Sequence, residues 1–206
     1  MGQKRISSSQ RRASVLAAAI RIFGSKGFAA TTTADIAREA AVSQPYVVSL
    51  FGSKDALIRA AIEHALDRVV EVFEQTIDDD APGDLAPRIG AAYLQLFKEQ
   101  GLQLCLAHAF TAGTDPEIGP LARDGFLRVY RVLVNRGDLT PEQASQTLAA
   151  GMMANVILGL RLADDYDREP VIRELLSATY PSNVELLRTV TGAYDGVAPR
   201  QGEAGV

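Results

Sequence analysis

The stretch from Gly27 to Gly52 constrains this chain most, because it has room for two short helices and one tight turn. Thr32 followed by Asp35 has capping-box spacing, in which hydroxyl and carboxylate satisfy each other's free amides, so a helix begins there. Ile36, Ala37 and Ala40 form its inward face. Ala41-Val42-Ser43 turns the chain, and Ser43 can cap a second short helix. That helix tolerates Pro45 in its first turn, where amides lack intrahelical partners, and Gly52 ends it. Small Ala37 faces the second helix, while Val42, Val47 and Leu50 fill the space between the two. This is the helix-turn-helix plan. Spacing alone fits a DNA-reading unit and a plainly packed helical hairpin equally.

The flanks read as helices too. Leu16, Ala19, Ile20 and Phe23 fall at i, i+3, i+4 and i+7, one apolar stripe on a helix beginning near Ser9. Gly27 suits its left-handed C-cap, with Phe28 as the following hydrophobic contact. Ser53 caps a long helix to about Ile77, with Leu57, Ala61, Ala65, Val69, Val72 and Phe73 along one side. Helices are further expected over 85–100, over the almost wholly apolar 102–112, and from Asp115-Pro116 to about Asn135. Within the last of these, 129–134 alone could pass for a strand. Thr140-Pro141-Glu142-Gln143 is a strong helix start, opening a helix to about Ala163 that carries Gly151, Ala154 and Gly159. Helices over 171–179 and 182–193 follow. The expectation is all-α: a head over 8–53 with a basic arm over 1–12, a body over 54–195, and a disordered tail over 196–206.

Charge divides the chain the same way. Residues 1–56 hold eight basic and three acidic side chains, a net of +5, while the other 150 residues carry a net of -9. A basic head on an acidic body suggests that the head alone meets a polyanion; chance clustering on a solvated surface is the alternative. One cysteine, Cys105, excludes an intramolecular disulfide and a cysteine-based zinc site, and a reducing, cytoplasmic setting is expected. With two histidines, His64 and His108, no metal site, cofactor or catalytic residue is expected. No phosphate-binding glycine loop, HExxH or paired-carboxylate signature appears, which leaves a helical enzyme as a remote reading. No membrane span is expected. The apolar run from Val15 to Ile20 is too short for a signal peptide and meets Arg21 at once. Ile6 stands where myristoylation favours Ser or Thr.

From Arg12 to Leu57, the ordered set Ala18, Phe23, Gly27-Phe28, Thr32-Thr33, Ile36-Ala37, Val42-Ser43, Phe51, Ser53-Lys54 and Leu57 resembles the DNA-binding domain of the TetR family of bacterial transcriptional regulators. Residues 151–156 are similar to a penultimate-helix pattern of some members. The resemblance implies a three-helix DNA-binding head and a long fourth helix leading to a helical ligand-binding body. It also implies homodimerisation through the last helices. Two positions depart from the family's pattern: Ala41 stands at the turn where Gly is usual, and Val48 where a phosphate-contacting Tyr is usual. Tyr46, two positions earlier, is the substitute.

The third helix offers Ser43, Gln44, Pro45, Tyr46 and Ser49 to double-stranded DNA. Gln bonds bidentately to adenine, and Pro and Tyr give apolar contact to a thymine methyl. No Arg or Lys lies within 43–52, so a guanine-reading Arg on this helix is excluded. Lys54, Arg5 and the neighbouring charges Lys4, Arg11 and Arg12 suit phosphates, and Thr32 and Thr33 make a phosphate seat at a helix start. In the body, Tyr93, Phe97, Cys105, His108, Phe126, Tyr130, Met152 and Asn155 are candidates for a ligand cavity, with ordinary core packing as the competing role. The function expected is a ligand-responsive regulator: a repressor released from a palindromic operator by a small, mostly apolar effector. A regulator governed by a protein partner, or unregulated, is the alternative.

Overall fold

A computed structural model describes residues 7–192. Ten α-helices make up the fold and no strand occurs among the described residues. They are α1 (Ser8–Ala30), α2 (Thr33–Glu39), α3 (Gln44–Phe51), α4 (Lys54–Asp78), α5 (Leu85–Gln95), α6 (Leu102–Thr111), α7 (Ile118–Arg131), α8 (Pro141–Gly159), α9 (Pro170–Thr179) and α10 (Val184–Gly192). The all-α expectation holds. Residues 196–206, expected as a disordered tail, and Lys4 and Arg5 of the arm lie outside the described residues.

Local chemistry explains most boundaries. Ser7 opens α1 through a capping box with Gln10. Thr32 opens α2 with Asp35, and Thr140 opens α8 with Gln143, as their spacing predicts. Gly27 interrupts α1 with φ 75° and ψ 165°, a glycine conformation but not the left-handed cap expected, so Phe28 to Ala30 form a kinked extension. Asp115 does open α7, accepting from the amides of Glu117 and Ile118, three residues before the helix proper begins at Ile118. The strand-like run continues α7 as a wider helical turn over Val132–Arg136. Arg161, in the left-handed region at φ 56°, ends α8 before the expected Ala163.

Helix α1 is long enough, and apolar enough over an 18-residue stretch, to pass for a membrane span by length and composition. Val15, Ala19, Ile20, Ile22 and Phe23 are buried, however, in a core shared with α4 and α6. It is packed as a core helix. One continuous core runs from the head along α4 (Leu57, Ala61, Ile62, Ala65, Val69, Phe73) into α5, α6 and α7. A second cluster joins α5 and α8 to the last helices through Leu94, Phe97, Ile157, Leu176 and Leu187.

Candidate DNA-reading face and body cavity

In the turn, Ala41 adopts φ 52° and the Val42 amide donates to the Ala37 carbonyl at 2.9 Å. A residue with a Cβ held in that region costs about 1–2 kcal/mol. The alanine therefore keeps the tight geometry that glycine would adopt more cheaply. Helix α3 buries Val47 and Phe51 and presents Gln44, Pro45, Tyr46, Val48 and Ser49 to solvent. At about 100° per residue, Val48 falls between Gln44 and Pro45 on the exposed arc. Val48, 42% exposed, is a candidate contact that sequence reasoning passed over, although helical register alone places it there.

Several polar groups of this face are committed to one another. Gln44 donates from Nε2 to Oγ1 of Thr33 at 3.0 Å, which ties α3 to the start of α2. Its Oε1 is on the exposed side chain, and Ser43 makes no side-chain cap. The Thr32 hydroxyl both accepts from the Asp35 amide at 3.1 Å and donates to the Asp35 carboxylate at 2.7 Å. That bond, with the Thr32 amide and the Lys26 ammonium at 3.0 Å, holds the Asp35 carboxyl well below the usual carboxylate range. Lys54 donates to the Ala29 carbonyl at 3.3 Å, at the rim of the head. Arg12 is not a free phosphate ligand: its guanidinium lies 4.0 Å above the Phe51 ring and donates to the Leu50 carbonyl at 2.6 Å. It braces α1 against the end of α3.

In the body, Leu66, Val69, Phe73, Ile89, Tyr93 and Leu106 enclose, with others, a cavity of about 60 Å³. Of the eight residues expected to surround a ligand, Tyr93, Phe126 and Met152 line it. Asn155 supports the wall from behind, accepting from the Tyr93 hydroxyl at 3.0 Å. Phe97 is fully buried beside Tyr93, the ring centroids 5.9 Å apart, and Tyr130 packs on the main core. Cys105 and His108 belong elsewhere. Cys105 is fully buried, and burial pushes its thiol up to about 12. The His108 Nε2 stands 3.3 Å from the Gly24 carbonyl oxygen, so this ring faces the head. The apolar run 102–110 conceals two faces with different neighbours, which the sequence does not separate.

Tyr180 and Phe110 are lining residues the sequence reading missed. The Tyr180 hydroxyl donates to the Ala150 carbonyl. Burial pushes both the Tyr93 and Tyr180 hydroxyls up to about 12. An outer groove of about 540 Å³ between α5, α8 and the residues after α9 shares Gly90, Leu94, Thr147, Ala150 and Tyr180 with the cavity. Tyr180 therefore stands between solvent and interior. No group of three or more His, Cys, Asp or Glu side chains suited to a metal ion occurs among the described residues.

Comparison with known proteins agrees with this geometry. Residues 15–61 match the family described as bacterial regulatory proteins, tetR family. The HTH-type transcriptional regulator HbdR of Aromatoleum sp. (strain CIB) is 29% identical over 129 residues, 60% of this chain and 55% of that one. The chain thus matches little more than half the length of that relative. A TetR-like transcriptional regulator from Rhodococcus sp. RHA1 superposes with a TM-score of 0.60 at 18% identity, covering 94% of this chain and 100% of the other. The multidrug binding protein EbrR, complexed with malachite green, gives 0.52 at 23% identity, covering 90% and 98%. These two are likenesses of fold. The match to the tetR family of bacterial regulatory proteins thus lies over residues 15–61, the stretch that carries the helix-turn-helix.

Proposed function

We propose that this regulator is a homodimeric repressor acting in the cytoplasm, and that a small, mostly apolar effector releases it from a palindromic operator. The exposed arc of α3 carries the reading: Gln44, Pro45, Tyr46, Val48 and Ser49 stand together on a helix whose other face is locked into the head. Gln44 reads a base edge, Pro45, Tyr46 and Val48 meet thymine methyls, and Ser43, Ser49, Thr32, Thr33 and Lys54 meet phosphates. Arg5 supplies arm charge. The body cavity supports the effector, because its lining is apolar, a groove leads to it, and α4 connects its Leu66, Val69 and Phe73 to the head.

The same reading divides the chain into a DNA-binding head over 8–53 and an effector-binding body over 54–195. The test is fluorescence anisotropy with DNA from upstream of the protein's own gene, at several salt concentrations and against a panel of apolar metabolites. Binding that one compound reverses is expected. Sequence-indifferent binding would remove the operator, and binding that no metabolite reverses would remove the effector. The cavity's present size favours one second reading. Ligand sites commonly occupy about 300–1,000 Å³, against about 60 Å³ here, so a regulator governed by a protein partner, or unregulated, needs no rearrangement of the body.

A further inference from the structure

Among the described residues, Gln103 is a fully buried side chain whose amide nitrogen and oxygen both lack a hydrogen-bond partner. The other buried polar side chains, Thr31 and Asn155, are bonded. A buried amide is costly to leave unpaired, so such a group calls for an explanation.

The position of Gln103 on α6 supplies one. Gly101 and His108 face α1: a Cβ on Gly101 would lie 2.5 Å from the Cα of Arg21, and His108 lies against Gly24. Leu106 and Phe110 face the cavity. At about 100° per residue, Gln103 lies within about 60° of Leu106 and about 20° of Phe110, across the helix from the α1 face. An occupant larger than the cavity's about 60 Å³ has to extend it, and growth along α6 leads to Gln103.

The lining restricts the occupant's charge. It contains no Asp, Glu, Lys, Arg or His, and an ion buried there would be unpaired. Its tyrosine hydroxyls already donate, to Asn155 and to the Ala150 carbonyl. Among the described residues, the buried side chain with donor and acceptor both unpaired is the Gln103 carboxamide, one turn along α6 from the lining residue Leu106.

Resting on the effector reading above, we propose that the effector is an uncharged, largely apolar molecule with a carboxamide or lactam group, and that this group pairs with both polar atoms of Gln103. A carboxamide offers donor and acceptor side by side, so only a group of the same pattern satisfies both ends at once.

Four naphthalenes of one size test this by their own fluorescence on the full chain at pH 7: 2-naphthamide, 2-naphthoate, 2-naphthylmethylammonium and 2-methylnaphthalene. The wild type should bind the amide about tenfold or more tighter than the other three, a factor equivalent to about 1.4 kcal/mol. In Gln103→Leu and near-isosteric Gln103→Met, the amide should fall to the level of 2-methylnaphthalene, whose own binding persists. An ion binding as tightly as the amide overturns the proposal, as does an amide preference surviving in either folded variant. If 2-methylnaphthalene binds and the amide gains nothing, the effector reading stands and only the Gln103 pairing fails. If none of the four binds, both fail. Should both variants misfold, the wild-type ranking still decides the charge and the amide preference.

Discussion

Gly24 and Gly101 meet backbone to backbone where α1 crosses the start of α6. A Cβ on Gly24 would lie 2.5 Å from the Gly101 carbonyl oxygen. Head and body therefore touch at a point where neither helix has room to approach further. Gly24→Ala should force α1 and α6 apart, at about 1–3 kcal/mol by the usual cost of overpacking. Because Arg12 braces α1 against α3, the same change should lower DNA affinity. Denaturant titration and anisotropy measure the two effects. An unchanged denaturation midpoint would mean that the crossing yields freely.

Lys54 and Arg12 should separate phosphate contact from head stability. Lys54→Ala should reduce the slope of log affinity against log salt by about 0.9, as one phosphate contact is lost. Arg12→Ala should instead lower stability by about 1 kcal/mol, from its stacking on Phe51 and its bond to Leu50, with the slope nearly unchanged. Equal slope losses in both variants would return Arg12 to the phosphate-binding set.

Gln44 and Thr33 should act as a pair in base reading. Gln44→Ala should relax discrimination at one base pair by about 1–3 kcal/mol. Thr33→Val removes the acceptor that holds the Gln44 amide nitrogen, and should blur discrimination at that same base pair. A binding screen over all single-base operator variants reads both. Losses at unrelated positions would show that Thr33 does not act through Gln44.

The capping box at α2 gives a pH dependence of known sign. The Asp35 carboxyl is held below its ordinary range first by the Thr32 hydroxyl, then by the Thr32 amide and Lys26. A carboxylate with a lowered folded-state pKa stabilises above its unfolded value, about 3.9, and that stability is lost as pH falls through the folded value. Asp35→Asn should therefore destabilise the protein at pH 7, and the gap from wild type should narrow steadily below about pH 4. Urea titrations across pH 2.5–7 test it, and a gap constant with pH would remove the assignment.

The helix starts were legible in the sequence because their signals are local. Thr32 with Asp35 and Thr140 with Gln143 act within one turn of helix, and the structure closes both boxes. The cavity was only partly legible because membership depends on which face of a uniformly apolar helix turns inward. Tyr93 and Met152 lie on such a face, while His108 turns towards α1 and Cys105 is buried about 60° from it around α6. Tyr180 comes from a distant helix end, and no spacing announces it. Small residues such as Gly151 and Ala154 on α8 would suit a close crossing between subunits, yet Ala154 is fully buried and a Cβ on Gly151 would meet Tyr93 at 3.4 Å. Their smallness serves packing within the chain.

The dimer test therefore falls on the outer face of α8. Met153, Val156 and Leu160 lie within about 60° of one another on the helix, and Val156 and Leu160 are 49% and 66% exposed. Val171 on α9 is 74% exposed. Large aliphatic side chains aligned in this way on a surface suit contact with a second copy, since water otherwise covers them at a cost of roughly 25 cal/mol per Å². A dimer also answers the reading problem, because two heads related by two-fold symmetry occupy successive major grooves about 34–36 Å apart, where one head reads too few base pairs. Val156→Glu with Leu160→Glu should leave each chain folded, since neither side chain is in the core, and should yield monomers that bind the operator far more weakly. Ala154→Glu should instead unfold the body. Sedimentation velocity at micromolar concentration, beside far-ultraviolet circular dichroism, distinguishes these outcomes. A double variant that still sediments as a dimer would place the seam elsewhere, and a monomeric wild type would end the paired-head account of operator binding.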